Sequence, residues 1–240
     1  MDFATQQKKI TIKQIITMKK STILLYQALI ALIPLVYLYS VWNELPEQVP
    51  MHYNYKMEVD KFGSKYEKLW LNIFMYAVTV GVSGITLFLD KIDPKKRYSE
   101  VTSIKMSWAL IIFMTLLSAF LIYQTVNYTQ GYDNSSFGKH LGALLVLFFT
   151  VLGNFMNNIK PNYFVGVRTP WTLQDEDVWR KTHHLTSKLW FFGGLIMLAL
   201  ILLLPTKYSV FVMLAGLIPL AFIPIYYSYY LFKKKQKGIQ

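Results

Sequence analysis

Apolar and polar positions separate along this chain into long blocks. Six runs, 21–43, 69–89, 106–132, 141–159, 189–206 and 208–232, contain no Asp, Glu, Lys or Arg. A helix of about 20 apolar residues crosses a hydrocarbon core of about 30 Å. In lipid, only a helix satisfies its own backbone polar groups over such a stretch. The pattern predicts an all-α fold, a six-helix transmembrane bundle. It divides the chain into a basic N-terminus (1–20), a first span with its following loop (21–68) and spans two to four (69–156). A long polar loop (157–188), a hairpin of spans five and six (189–232) and a basic tail (233–240) complete it.

The basic residues give the bundle a direction. Nineteen of the 25 Lys and Arg fall on the side of the two termini and of loops two and four, against six on the other. The positive-inside rule places both termini in the cytoplasm and loops 44–68, 133–140 and 205–207 outside. The net charge of +12 lies beside helix ends, where anionic lipid attracts it, so it calls for no nucleic acid. The first run exceeds the apolar part of a signal peptide and reads as an uncleaved anchor. With no Cys there is neither a disulfide nor a thiolate metal site. Trp42, Trp70, Trp108 and Trp190 sit at span ends as an aromatic belt, whereas Trp171 and Trp179 do not.

Within the spans, Ala77, Gly81 and Gly84 have the small-residue spacing of close helix packing. Pro34, Pro219 and Pro224 are expected to kink their helices. Asn154 and Asn158 share a face that should look into the bundle or the cytoplasmic interface rather than into lipid. No ionisable residue lies mid-span, which disfavours a coupled transporter.

Two polar loops stand out. The outer one reads LPEQVPMHYN from Leu45. Pro46 and Pro50 hold the backbone extended and forbid a helix. His52 and Asn54, two apart, then point the same way, with Asp60 following. Such a rigid polar face suits a peptide or small ligand. Glu44, His52, Glu58 and Asp60 could be gathered around a divalent ion, but their spacing matches no ligand motif, so no metal is assigned.

The inner loop reads NNIKPNYFVGVRTPWTL from Asn157, then VWRKTHHL. A helix is expected from Thr172, with Asp175 as its capping-box partner. Asp175, Trp179, His183, Thr186 and Trp190 recur every three or four residues, as in an amphipathic helix along the inner membrane surface leading into span five. Lys160 and Arg168, near Asn157 and Asn158, could hold a phosphate headgroup or an acidic side chain. His183 and His184 point to different faces. No nucleophile–base pair or phosphate-cradling glycine loop is present, so no catalytic residue and no cofactor is assigned.

At these two loops the chain resembles the SdpI family of bacterial membrane proteins. The inner segment is similar to the family's hallmark. The outer one resembles a short module of unknown function near the N-terminus of many members. Met57, His184, Thr186 and Ser187 depart from the usual pattern. The resemblance implies a non-enzymatic protein of the bacterial inner membrane that confers immunity to a secreted peptide toxin. It also implies signalling, by recruitment of a cytoplasmic transcriptional repressor. On that reading the toxin meets Pro46, Pro50, His52, Asn54 and Asp60 and the outer helix ends. Asn157, Asn158, Lys160, Asn162, Arg168, Trp171, Trp179 and His183 report or dock a partner inside. The alternatives are a small-molecule permease, which needs a polar path, and an enzyme acting on lipid, which needs carboxylates or a metal facing one surface.

Overall fold

A computed structural model describes residues 18–54, 58–94, 99–132 and 135–238. Expectations resting on most of the basic N-terminus, on Met57 and on the middle of the second loop lie outside the described residues. Six helices are long and apolar enough to cross a membrane: Lys20–Ser40, Lys65–Leu87, Glu100–Thr129, Phe137–Met156, Glu176–Leu203 and Thr206–Gln236. They are taken below as spans 1 to 6.

Spans 2 and 5 begin before their apolar runs, each from a side-chain cap in the preceding polar segment. Ser64 caps span 2: its Oγ accepts from the Tyr66 N–H, and Glu67 accepts from the Ser64 N–H. Span 1 breaks at Leu32, between helices Lys20–Ala31 and Ile33–Ser40, where Pro34 removes a donor. Pro219 and Pro224 instead stay inside one helix, Ser209–Gln236.

The all-α bundle carries a small β element in the first loop. Strands β1 (Gln48–Tyr53) and β2 (Val59–Ser64) form an antiparallel hairpin. The prolines that forbid helix there leave an extended strand. Val49 and Leu45, both buried, anchor it among Leu38, Ile122 and Val126 at the ends of spans 1 and 3.

Spans 1 to 3 pack together, as do spans 4 to 6, and spans 3 and 4 join the halves. The joint is aromatic. Phe113 stacks on Phe148 with ring centres 3.9 Å apart, and Phe120 faces Phe137 at 5.8 Å. Phe137 in turn stacks on Tyr53 of β1 at 4.4 Å.

The polar core is not where the asparagines pointed. Asn154 is exposed and Asn158 lies beyond the helix end, so neither looks into the bundle. Gln27 does: it donates to the Ser107 hydroxyl at 2.9 Å and accepts from the Ser83 hydroxyl at 3.0 Å. Asn72 bonds the Lys68 carbonyl and accepts from Ser118. Paired groups of this kind avoid the penalty of a lone polar atom in lipid and join spans 1, 2 and 3.

The expected packing glycines also differ. A Cβ on Gly81 would meet nothing within 4 Å, and one on Gly84 only ordinary contacts with Leu24. The close approach lies between spans 4 and 5. A Cβ on Gly153 would sit 2.7 Å from the Phe191 nitrogen, and one on Gly194 would sit 2.1 Å from the Thr150 hydroxyl. Trp190 is likewise no belt residue, since it donates to the Leu220 carbonyl and packs on Phe149.

Candidate functional site

The β-hairpin and the 157–188 loop occupy opposite ends of the bundle, because three spans separate the end of span 1 from the end of span 4. At the hairpin end, His52 Nδ1 lies 2.6 Å from Asp60 Oδ1, and both side chains are largely exposed. Asn54 brackets Glu58: its Nδ2 donates to the carboxylate at 3.1 Å and its Oδ1 accepts the Glu58 N–H at 3.0 Å. The register slips on both sides of His52, which sets it off from a regular strand position. Glu44 bonds Gln130 instead, so the four residues weighed for a metal ion are divided among three pairings. Among the described residues no three His, Asp or Glu are gathered as a metal site.

The other candidates at this end divide between surface and anchor. Pro46 is exposed. Pro50 is buried, and its carbonyl accepts from Lys68 at 3.3 Å. Tyr53 lies under the hairpin, where burial pushes its phenol above the usual tyrosine pKa. The exposed face is therefore His52–Asp60 with Asn54–Glu58.

At the motif end, one asparagine builds the turn. Asn162 is fully buried. Its Nδ2 donates to the carbonyls of Lys160 and Val165, and its Oδ1 accepts the N–H groups of Phe164 and Val165, all between 2.8 and 3.1 Å. All four hydrogen-bonding sites of the amide, two N–H groups and two oxygen lone pairs, are thus used on the loop's own backbone.

The chain then turns at Gly166, whose φ of 114° is open to glycine and strained for other residues. That turn aims the Val167 N–H at His183 Nε2, 3.0 Å away. Since Nε2 accepts, Nδ1 carries the proton and donates to the Trp179 carbonyl at 2.8 Å, which makes the ring neutral. Trp179 stacks on His183 at 4.0 Å and donates its indole N–H to the Ile159 carbonyl at 2.7 Å.

Thr169 rather than Thr172 caps a short helix, Pro170–Gln174. Thr172, also fully buried, donates from its hydroxyl toward the Val167 carbonyl. Asp175 then caps a second helix, Glu176–Lys188, by accepting from Asp177 and Val178. Its bond to Lys235 of span 6, aided by those two N–H groups, holds its carboxyl below the usual carboxylate pKa. The cap was misplaced because Thr169-Pro170 and Asp175-Glu176 are two separate helix starts three residues from Thr172.

The motif helix leads through a π-helical segment, Leu189–Gly193, into span 5, as its spacing indicates. Its Trp179, His183 and Thr186 face is buried in the bundle. Trp179 and His183 bond the loop, which lipid could not supply, and Thr186 bonds the Thr182 carbonyl of its own helix. Asn162, Trp179 and His183, taken as partner-facing, are thus internal supports.

The remaining candidates divide again. Trp171 donates to the Ser228 hydroxyl at 2.5 Å and packs edge-on against Tyr229, pinning the loop to span 6. Arg168 folds back on the Tyr163 carbonyl. It does not line the cleft of about 460 Å³ that holds Asn157, Asn158 and Lys160 beside Glu176, Asp177 and Arg180. Asn157 bonds His184 across to the motif helix at 2.8 Å.

Residues 158–228 match the SdpI/YfhL protein family, and residues 29–76 match a domain of unknown function (DUF1648). The chain is 25% identical over 221 residues to Immunity protein SdpI of Bacillus subtilis (strain 168), covering 90% of this chain and 98% of that protein. No solved structure matches. The first match spans the motif loop and the helices that hold it, and the second spans the hairpin and its flanking helices. Six helices long and apolar enough to cross a membrane, together with this similarity, mark a multi-pass protein of the bacterial inner membrane.

Proposed function

Residues 158–228 carry the SdpI/YfhL family region, and on that premise we propose that this chain gives resistance to a secreted peptide toxin and passes the encounter to a cytoplasmic partner. The observation that carries the reading is the separation of two differently built loops to opposite ends of one bundle. With the basic side inside, the hairpin faces the environment and the motif loop faces the cytoplasm. His52–Asp60 and Asn54–Glu58 then offer a peptide two exposed hydrogen-bonding pairs on a braced strand. Inside, Arg168 and Tyr163 offer an exposed edge of a loop whose shape is fixed from beneath by Asn162, His183 and Trp179. A cytoplasmic repressor is the partner class on this reading, and the chain has no enzymatic role.

A route between the ends supports the signalling half. Tyr53 touches Phe137, Phe137 faces Phe120 on span 3, and Phe113 on that span stacks on Phe148. Phe149 then contacts Trp190, which packs in the Trp179 cluster. A permease is less well supported. Gln27 bonds Ser83 and Ser107, Asn72 bonds Ser118, and the cavity beside Asn72, Thr115 and Ser118 is about 10 Å³, room for about one water.

The test is deletion of the gene followed by challenge with candidate peptide toxins and a reporter for the repressor. His52→Ala should impair protection about tenfold in inhibitory concentration, the size of losing one charged hydrogen-bond pair. Arg168→Ala should leave protection intact and reduce reporter output. Two variants that both behave as the unaltered chain in both assays would remove this division of labour.

A further inference from the structure

The sequence pointed to Lys160 and Arg168 as a phosphate holder, but the structure separates them. A different set of cations converges nearby. Arg180, Lys181, His184 and Lys188 run along the exposed flank of the motif helix, opposite its buried Val178–Trp179–Thr182–Thr186 side. They line a cleft of about 460 Å³ closed by Asn157 at the end of span 4 and by Tyr227 of span 6.

Three features distinguish this cleft from a solvated basic face. It is a concavity between three elements. His184 is held in its wall by the bond to Asn157, so the wall is fixed. And none of its lining residues is acidic. Asp177 pairs with Arg180 and Lys181 at 2.7 and 2.8 Å from outside the cleft, but these exposed pairs are worth under about 1 kcal/mol and yield to a stronger anion. Lys188 has no ion pair among the described residues. The neighbouring cleft at Lys160 includes Glu176 and Asp177 and lacks this bias.

Depth selects the anion. Lys188 immediately precedes the apolar stretch that begins at Leu189, so the cleft lies at headgroup level. Beside it, span 6 presents exposed Phe222, Ile223 and Tyr226 to the acyl region. We propose that this cleft is a binding site for a phosphate-bearing anion, supplied by the headgroup of an anionic phospholipid whose chains lie along span 6. Basic pockets between helices at a membrane surface take such headgroups. The inference does not depend on the toxin reading.

The full chain would be reconstituted in nanodiscs of phosphatidylcholine with phosphatidylglycerol, and retained lipid read by native mass spectrometry. The unaltered chain should keep phosphatidylglycerol about a hundredfold over phosphatidylcholine, from about fivefold for each of three cations at the surface. Arg180→Gln/Lys181→Gln/Lys188→Gln should lose that preference, and Lys19→Gln/Lys91→Gln/Lys105→Gln, equal in charge, should keep it. Lys188→Gln alone, an exposed single change, should reduce it about fivefold. In a second arm, inorganic phosphate is added to the chain in detergent. Stabilisation by phosphatidylglycerol and not by phosphate supports the lipid source; equal stabilisation by phosphate overturns it. Equal lipid retention by the cleft variant and the unaltered chain overturns the site.

Discussion

Gly153→Ala should cost this protein about 1–3 kcal/mol, the range for forcing a methyl group into a packed contact. The added Cβ would meet the Phe191 backbone nitrogen and the Trp190 Cβ, both at 2.7 Å, so no side-chain rotation relieves it. Span 4 must move off span 5 at the π-helical segment, where Trp190 links Phe149 to the Leu220 carbonyl. Gly194→Ala, whose Cβ would fall 2.1 Å from the Thr150 hydroxyl, should act on the same contact from the other side. Gly81→Ala is the control: it meets nothing within 4 Å and should be neutral or slightly stabilising, as alanine favours helix. Thermal unfolding in detergent, followed by tryptophan fluorescence, reads all three. Gly153→Ala melting with Gly81→Ala would mean that the spans do not meet as described.

A second substitution should act on the motif loop while sparing the bundle. Gly166→Ala places a side chain at φ 114° and a Cβ 2.2 Å from His183 Nε2. Backbone strain there is worth about 1–3 kcal/mol, and the bond from Val167 to His183 is lost in addition. The loop should open, Trp171 should leave Ser228, and limited proteolysis within 160–170 should speed up more than tenfold. Adding His183→Ala should relieve the collision and leave the strain, recovering only part of the protection. Unchanged proteolysis in Gly166→Ala would refute the His183–Val167 lock. Reporter output should fall with loop order, which separates this variant from His52→Ala.

The sequence shows some of this readily and hides the rest for physical reasons. The six spans were legible because uncharged runs of this length have few alternatives. Their helical extensions were less so, since Ser64–Glu67 acts about one turn, and Asp175–Glu176 nearly four turns, before the apolar signal. Pro46 and Pro50 announced an extended segment, but pairing it into a hairpin needed its partner strand, which no local pattern specifies. The motif loop was recognisable by residue type, yet the roles divided otherwise. Asn162, Trp179 and His183 are polar or amphipathic residues whose bonds all go inward. Arg168 and Tyr163 carry the exposed edge. Spacing along a helix told that Trp179 and His183 share a face. It did not tell whether that face meets lipid or protein, which depends on Asn162 and Gly166 folding the loop over it. Gln27 was passed over because a lone glutamine in an apolar run has no periodic partner; Ser83 and Ser107 come from other spans.

The proposed division of the molecule into a sensing end and a reporting end rests on which side of the membrane each loop faces. The chain has no cysteine, so single thiols can be introduced without altering a background. Gln48 in β1 and Gln174 at the end of the short helix Pro170–Gln174 are both exposed. In intact cells a membrane-impermeant maleimide should label Gln48→Cys and leave Gln174→Cys unlabelled until the membrane is opened. Labelling of both from outside, or of Gln174→Cys alone, would contradict the account.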